Sequence, residues 1–326
     1  MRVGLNPYGL TWTLGLQGRG TPRANPKGRG LAGFLDIAGE LDARVIEIFD
    51  PWLAEMPDGE VADLGAALAD GDMTPVVSAG IDMMGPMDSA FRSARLLGAK
   101  TIRLGLSPIL CGDRNAAGER WSTLDKRIRA VLTEWGPRAD DAGYRFGIEN
   151  HQDFGSAELV ALCEMTRGTG ITLDCGNAFP VAEAPLDFAR RVAPHIVHVH
   201  LKDYRVQFTP EGYRLVRCAI GDGAVPLAEM LAILEAANPE VTAVLEPGAL
   251  EARHVRLFTA DWWKGYAPKT AEELAACLLA AQRNRLSDDA DYRTPWERGA
   301  DGELERYELD MIRRSAANMR ALGIMQ

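Results

Sequence analysis

Eight times along this chain a short run of β-branched and apolar residues gives way to a longer stretch with helical spacing. The candidate strands are Arg2–Leu5, Arg44–Phe49, Thr74–Ser78, Thr101–Gly105, Arg145–Glu149, Ile171–Asp174, Ile196–His200 and Val241–Glu246. Between them, Leu124, Ile128, Val131, Leu132 and Trp135 form one apolar stripe, preceded by Ser122 and Asp125 spaced like a capping box. Leu227, Met230, Leu231 and Leu234 form another, at i, i+3, i+4 and i+7. Strands joined by helical crossovers must run parallel, and eight such units predict a closed (β/α)8 TIM barrel. The rival is an open doubly wound sheet, which usually carries a Gly-rich phosphate turn after its first strand. The segment here, GLNPYG, is not one.

Three stretches fall outside the repeat. Gly15–Gly30, rich in Gly, Arg and Pro, reads as a mobile surface loop or as a lid or subunit contact. Tyr204–Val216 reads as a hairpin around the turn TPEG. After Glu246 comes a tail: a loop with Trp262 and Trp263, a helix near Ala271–Arg283 and a last helix around Leu304–Leu322. Its Leu304, Tyr307 and Met311 need burial, so the tail is expected to pack on the barrel or on a neighbouring subunit. The 326 residues then divide into a barrel over 1–249 and a C-terminal helical extension over 250–326.

Composition narrows the partners. Lys and Arg total 36 against 46 Asp and Glu, a net charge of −10, which disfavours nucleic acid. No apolar run approaches the ~20 residues of a membrane span, and the start, MRVGLNPYGLTW, lacks the layout of a signal peptide. The five cysteines are odd in number and scattered, as expected of free buried thiols in a reducing cytoplasm.

In a parallel barrel the reactive groups gather where strands end. Four consecutive strands here end in a metal-ligand residue: Glu149 in FGIENHQDF, Asp174 in GITLDCGN, His200 in HIVHVHLKD and Glu246 in TAVLEPG. The intervals are 25, 26 and 46 residues, the last lengthened by the hairpin, so each pair is one βα unit apart. A lone strand-end carboxylate is most often a helix cap or an ion-pair partner. Four metal-ligand residues in register are harder to explain so, and their three carboxylates would repel one another in a dry mouth unless a cation neutralised them. Three carboxylates and one imidazole form a hard, oxygen-rich set that suits Mn²⁺, with Mg²⁺ or Co²⁺ as substitutes.

Neighbouring residues extend the set. His151, two beyond Glu149, stays on the ligand side by strand alternation and is a candidate general acid/base. His198 should lie one layer deeper, in the core or orienting a ligand. Asn177 is a candidate for a substrate hydroxyl or a helix cap. Lys202 is a candidate for stabilising an oxyanion, with Asp203 and Arg205 as further substrate contacts. Trp262, Trp263 and His254 either shape a sugar pocket or simply pack the tail.

The motifs IENHQ, LDCGN, HVHLKD, GDG (Gly221–Gly223) and LEP resemble the sugar phosphate isomerase/epimerase family, xylose-isomerase-like barrels that also include some AP endonucleases. The resemblance runs to Glu246, about three quarters of the chain. It implies a divalent metal on Glu149, Asp174, His200 and Glu246, with the two glutamates also moving protons on either face of the substrate carbon. Asn177 falls where many relatives place a substrate-contacting histidine. The AP-endonuclease branch needs a histidine-rich zinc cluster, and only His151, His195, His198, His200 and His254 are present. The implied reaction is proton transfer α to a carbonyl of a ketose, oxo-sugar or sugar acid through a metal-stabilised enediolate, with Glu149, Glu246 or His151 as base. Glu149-x-His151 also resembles inosose dehydratases and oxo-sugar C-deglycosidases, so a lyase on the same intermediate is the alternative, and a non-catalytic sugar-binding barrel a second. The expected partner is a small sugar, in a homo-oligomer or beside a hetero-subunit.

Overall fold

A computed structural model of the chain describes residues 1–81, 87–117 and 119–325. The strands are β1 (Arg2–Leu5), β2 (Val45–Phe49), β3 (Thr74–Gly80), β4 (Thr101–Gly105), β5 (Arg145–Glu149), β6 (Thr169–Asp174), β7 (Ile196–Leu201), β8 (Tyr204–Thr209), β9 (Gly212–Arg217), β10 (Thr242–Leu245) and β11 (Arg253–Val255). Eight of them close a parallel barrel in the order β1-β10-β7-β6-β5-β4-β3-β2. The expected (β/α)8 fold is therefore present, with strand limits within two residues of those read from the sequence. Closure needs small residues at the seams. A Cβ on Gly4 would overlap the carbonyl of Val45, and one on Gly147 would overlap the Thr172 hydroxyl.

Register explains why the strand-end residues converge. Asp174 is paired with His200 across β6 and β7, and Glu149 with Thr172 across β5 and β6. Leu245 faces Leu201, and the Glu246 amide continues that ladder by donating to the Leu201 carbonyl at 2.9 Å.

The hairpin forms as expected from β8 and β9, but it gains a partner that alternation did not reveal. Three residues of the tail, β11, pair antiparallel with β9 and complete a three-stranded sheet. Such a short strand carries too few residues to show a period of two. A second correction concerns Ser122 and Asp125. The helix covers Glu119–Asp141, so Ser122 lies inside it rather than at its cap.

The tail packs on its own barrel. Trp262, Cys277, Ile312, Ala316 and Met319 join the same apolar core as the barrel helices. Leu304 packs with Trp12 and Leu250 in a smaller cluster. The Gly15–Gly30 segment, which reads from the sequence as a mobile loop or as a lid or subunit contact, is tied to the tail: Arg23 pairs with Asp301 and stacks 3.5 Å from the centre of the Trp296 ring, and Arg29 pairs with Glu305. Buried Glu308 accepts the amides of Trp12 and Thr13 at 3.0 and 2.8 Å. If the tail is an integral part of this core, Ile312→Val should lower the unfolding free energy by about 1 kcal/mol. A urea transition unchanged by the substitution would mean that the tail docks without contributing stability. Among the described residues no helix is long and apolar enough to cross a membrane.

Candidate active site

At the C-terminal mouth the barrel brings one ligand atom each from Glu149, Asp174, His200 and Glu246 within 4.8 Å of one another. All four are buried. His200 Nδ1 lies 3.1 Å from Glu149 Oε1 and 2.8 Å from Glu246 Oε2. Lys202 closes the ring, donating to Asp174 and, at 2.6 Å, to Glu246 Oε1. Asn6, just past β1, donates to the other oxygen of Glu246.

A layer deeper, the barrel holds a charge that the sequence reading passed over. Glu47, in the middle of β2, accepts from His200 Nε2 at 2.7 Å and from His198 Nε2 at 3.3 Å. His198 Nδ1 meets the Thr242 hydroxyl at 2.7 Å, which places this histidine in the orienting layer. With Nε2 occupied by Glu47, His200 is turned to present Nδ1 to the cluster, the arrangement by which an outer carboxylate orients a ligating imidazole. Arg103, in the middle of β4, donates to Glu149 and lies 5.2 Å from the centre of the Tyr8 ring. Both residues left a trace in the sequence. A barrel strand buried on both faces has no ordinary place for a charge, and VIEIF and TIRLG each carry one at the centre.

The electrostatics fit a divalent cation. Four buried carboxylates, Glu47, Glu149, Asp174 and Glu246, face two permanent cations, Arg103 and Lys202. Burial alone would raise Glu149, but Arg103 and His200 hold it well below the usual carboxylate range. Burial works the same way on Glu246, and there Lys202 and His200 overcome it. Asp174 moves upward instead, because its burial outweighs the attraction of Lys202. The surrounding acids overcome burial to push His200 well up, so they hold a proton where a metal ion could serve. The donor set, three carboxylate oxygens and one imidazole nitrogen, matches a hard divalent ion.

A cavity of about 260 Å³ opens on this cluster, lined among others by Tyr8, Arg103, Glu149, His151, Lys202 and Glu246. Burial pushes His151 down to about 4, against the pull of Glu149. It is therefore neutral at working pH, able to accept a proton or donate its N–H. A side chain with an unfolded pKa near 6.5 and a folded value near 4 disfavours the native state as pH falls through that interval. An imidazole NMR titration should accordingly show no midpoint for His151 between pH 5.5 and 8. A midpoint near 6.5 would place the ring in open solvent.

Not every candidate reaches the cavity. Asn177 is buried behind Asp174, donating to Oδ2 at 2.7 Å, and does not line the space. Arg205 is exposed on β8, where alternation turns it away from the mouth into a separate groove against the tail. Asp203 accepts the amides of Tyr204, Gly221, Gly223 and Val225, so it anchors the GDG turn. A Cβ on Gly223 would overlap the Asp203 carboxylate, which explains the second glycine of that motif. Trp262 stacks on Tyr266 and donates to the Cys111 carbonyl at 2.9 Å, while His254 meets the Thr209 hydroxyl at 2.9 Å. Neither these two residues nor Trp263 lines the cavity.

A family model described as a xylose isomerase-like TIM barrel matches residues 35–278. Among solved structures, a D-psicose 3-epimerase studied with D-fructose aligns over 99% of this chain and 100% of its own, with a TM-score of 0.57 at 14% identity. A D-tagatose 3-epimerase-like protein aligns over 87% and 99%, with a TM-score of 0.53 at 16% identity. The "probable 3-DHS dehydratase AsbF" of Bacillus anthracis aligns over 76% and 92%, with a TM-score of 0.52 at 14% identity. At these identities the likeness is one of fold. Among curated proteins, the uncharacterized protein YihM of Escherichia coli (strain K12) is 35% identical over 108 residues, 32% of this chain. That match spans about a third of the relative's length.

Proposed function

The chain belongs to the family of xylose isomerase-like TIM barrels, and from that premise we propose a divalent-metal-dependent enzyme that moves a proton α to the carbonyl of a ketose, oxo-sugar or sugar acid. The observation that carries this reading is a pair of glutamates, Glu149 and Glu246, held ionised on one cluster and both lining one small cavity. Glu149, Asp174, His200 and Glu246 would hold Mn²⁺, Mg²⁺ or Co²⁺. Such an ion supplies Lewis-acid charge for the oxygens on which negative charge develops. Of the two glutamates, one removes the α-proton and its counterpart returns one, giving epimerisation on the same carbon or isomerisation on the next. Lys202 places an ammonium beside the same cluster and contributes further positive charge to the developing oxyanion. The division into a barrel over 1–249 and an extension over 250–326 belongs to this reading, with the extension supplying part of the cavity wall.

A lyase is the second reading. Its support is His151, neutral and on the cavity wall two residues from Glu149, where its free ring nitrogen can accept the α-proton and the imidazolium so formed can pass it to a departing group. One experiment separates the outcomes. Mn²⁺-loaded protein in D₂O, given a panel of ketoses, oxo-sugars and sugar acids, should place deuterium on an α-carbon, and EDTA should stop it. Product mass then distinguishes isomerase from lyase. No exchange with any of the three metals across the panel would leave a sugar-binding barrel without chemistry.

A further inference from the structure

Three permanent cations line the cavity, and two are engaged. Arg103 serves Glu149, and Lys202 serves Asp174 and Glu246. The third, Arg253, stands on β11, outside the barrel and in the extension. Among the described residues no acid pairs with its guanidinium, and its buried Nε has no hydrogen-bond partner. Glu251, the acid nearest to it in sequence, lines the same cavity but accepts from Gln17 at 2.9 Å. The edge strand brings Arg253 to the site: it is paired with Leu215 of β9 and lines the same cavity as Glu149 and Glu246.

A buried N–H is almost always satisfied in native structures, and a guanidinium presents a rigid fork matched to two oxygens of one oxyanion. We infer that the substrate is an anionic sugar, and that Arg253 holds its carboxylate or phosphate at the rim while the carbonyl end reaches the two glutamates. This rests on reading the cavity as a sugar site. At about 260 Å³ the space suits one monosaccharide; a hydroxyl of a neutral sugar can accept from the Arg253 Nε, but only an anionic group also supplies the counter-charge that the guanidinium lacks. A site built around a polar partner rejects the analogue that lacks it far more strongly than an apolar pocket rejects a missing methylene. Because Arg253 is only half-buried, the discrimination should be on the order of 10²-fold rather than the ~10⁴ of a fully dry site.

Matched series test this: D-fructose, D-fructuronate and D-fructose 6-phosphate, and likewise D-tagatose, D-tagaturonate and D-tagatose 6-phosphate. Affinities are measured by calorimetric titration of the Mn²⁺-loaded full-length protein. In at least one series an anionic member should bind about 100-fold more tightly than its neutral parent, and the tighter anion identifies carboxylate or phosphate. Arg253→Met should collapse that ratio to near one, and Arg253→Lys, which keeps the charge but not the fork, should restore part of it. Thermal melts confirm that each variant is folded. The inference is overturned if no anionic member binds, if neutral sugars bind as tightly, or if Arg253→Met preserves the ratio. Anion preference without α-deuteration in the same samples would refute the proton-transfer reading and leave this one standing; deuteration of neutral sugars without anion preference would do the reverse.

Discussion

Glu246→Gln is expected to reduce Mn²⁺-dependent α-proton exchange by at least about 10³-fold while the barrel stays folded. The substitution is nearly isosteric, and the Glu246 carboxylate meets three polar groups at the mouth: His200 Nδ1 at 2.8 Å, Lys202 Nζ at 2.6 Å, and the Asn6 amide. A glutamine keeps one acceptor for these donors but cannot take a proton from carbon. Removing a positioned base costs roughly 10²–10⁴ in rate, and one negative charge leaves the cation site at the same time. The two losses are separable. Metal content by elemental analysis reports the second, and exchange at saturating Mn²⁺ reports the first. Glu149→Gln should match Glu246→Gln within an order of magnitude, and the double variant should be scarcely worse, because residues acting as a unit are not additive. Retention of more than a tenth of wild-type exchange by metal-loaded Glu246→Gln would remove this residue from the chemistry. Acid should affect the pair late. Both carboxylates are held low, by Arg103 on one side and Lys202 on the other, so the stability they contribute is full above about pH 4.5 and is lost as pH falls below it.

How much of this was legible in the sequence depended on which residues repeat. The eight strands stood out because each is a run of β-branched residues between helical stripes, and the four strand-end residues because they recur once per unit. Register then did what spacing predicted, bringing their ligand atoms within 4.8 Å. Glu47 and Arg103 were not visible by the same rule, since they sit in mid-strand, where a reading that looks only at strand ends does not search. Arg253 was hidden for a different reason: it lies on a three-residue strand in a tail without repeats, and only tertiary pairing with β9 carries it to the mouth. Arg205 shows the converse. Its place two residues from Asp203 and three from Lys202 suggested the mouth, but the chain leaves the barrel after Leu201, and hairpin alternation then sets its direction. Asn177 reads from the sequence as a substrate contact or a helix cap; its donation to Asp174 Oδ2 could be read only from coordinates.

Glu47→Ala should both destabilise the protein and weaken its metal site, and the two effects have different origins. Burial alone would raise the Glu47 carboxyl; His200, His198 and Arg103 together hold it well below the usual range. Deleting it leaves the Nε2 atoms of His198 and His200 without that acceptor and removes the counter-charge 4.0 Å from Arg103 Nε. Breaking a buried ionic network by removing one member costs about 3–5 kcal/mol. The second effect comes from freeing the His200 ring, which no longer has a partner on Nε2 to keep Nδ1 aimed at Glu149 and Glu246. Loss of an outer-layer partner of this kind typically weakens metal affinity by about 10–100-fold. Glu47→Gln separates the effects, because it fills the same volume and retains one acceptor while giving up the charge. It should recover much of the stability and only part of the affinity. Calorimetric melts without metal report the first quantity, and Mn²⁺ titration followed by electron paramagnetic resonance, well below each melting temperature, reports the second. A carboxylate that merely filled the barrel would move the melt alone, so an Mn²⁺ affinity for folded Glu47→Ala within twofold of wild type would end its role in aiming His200.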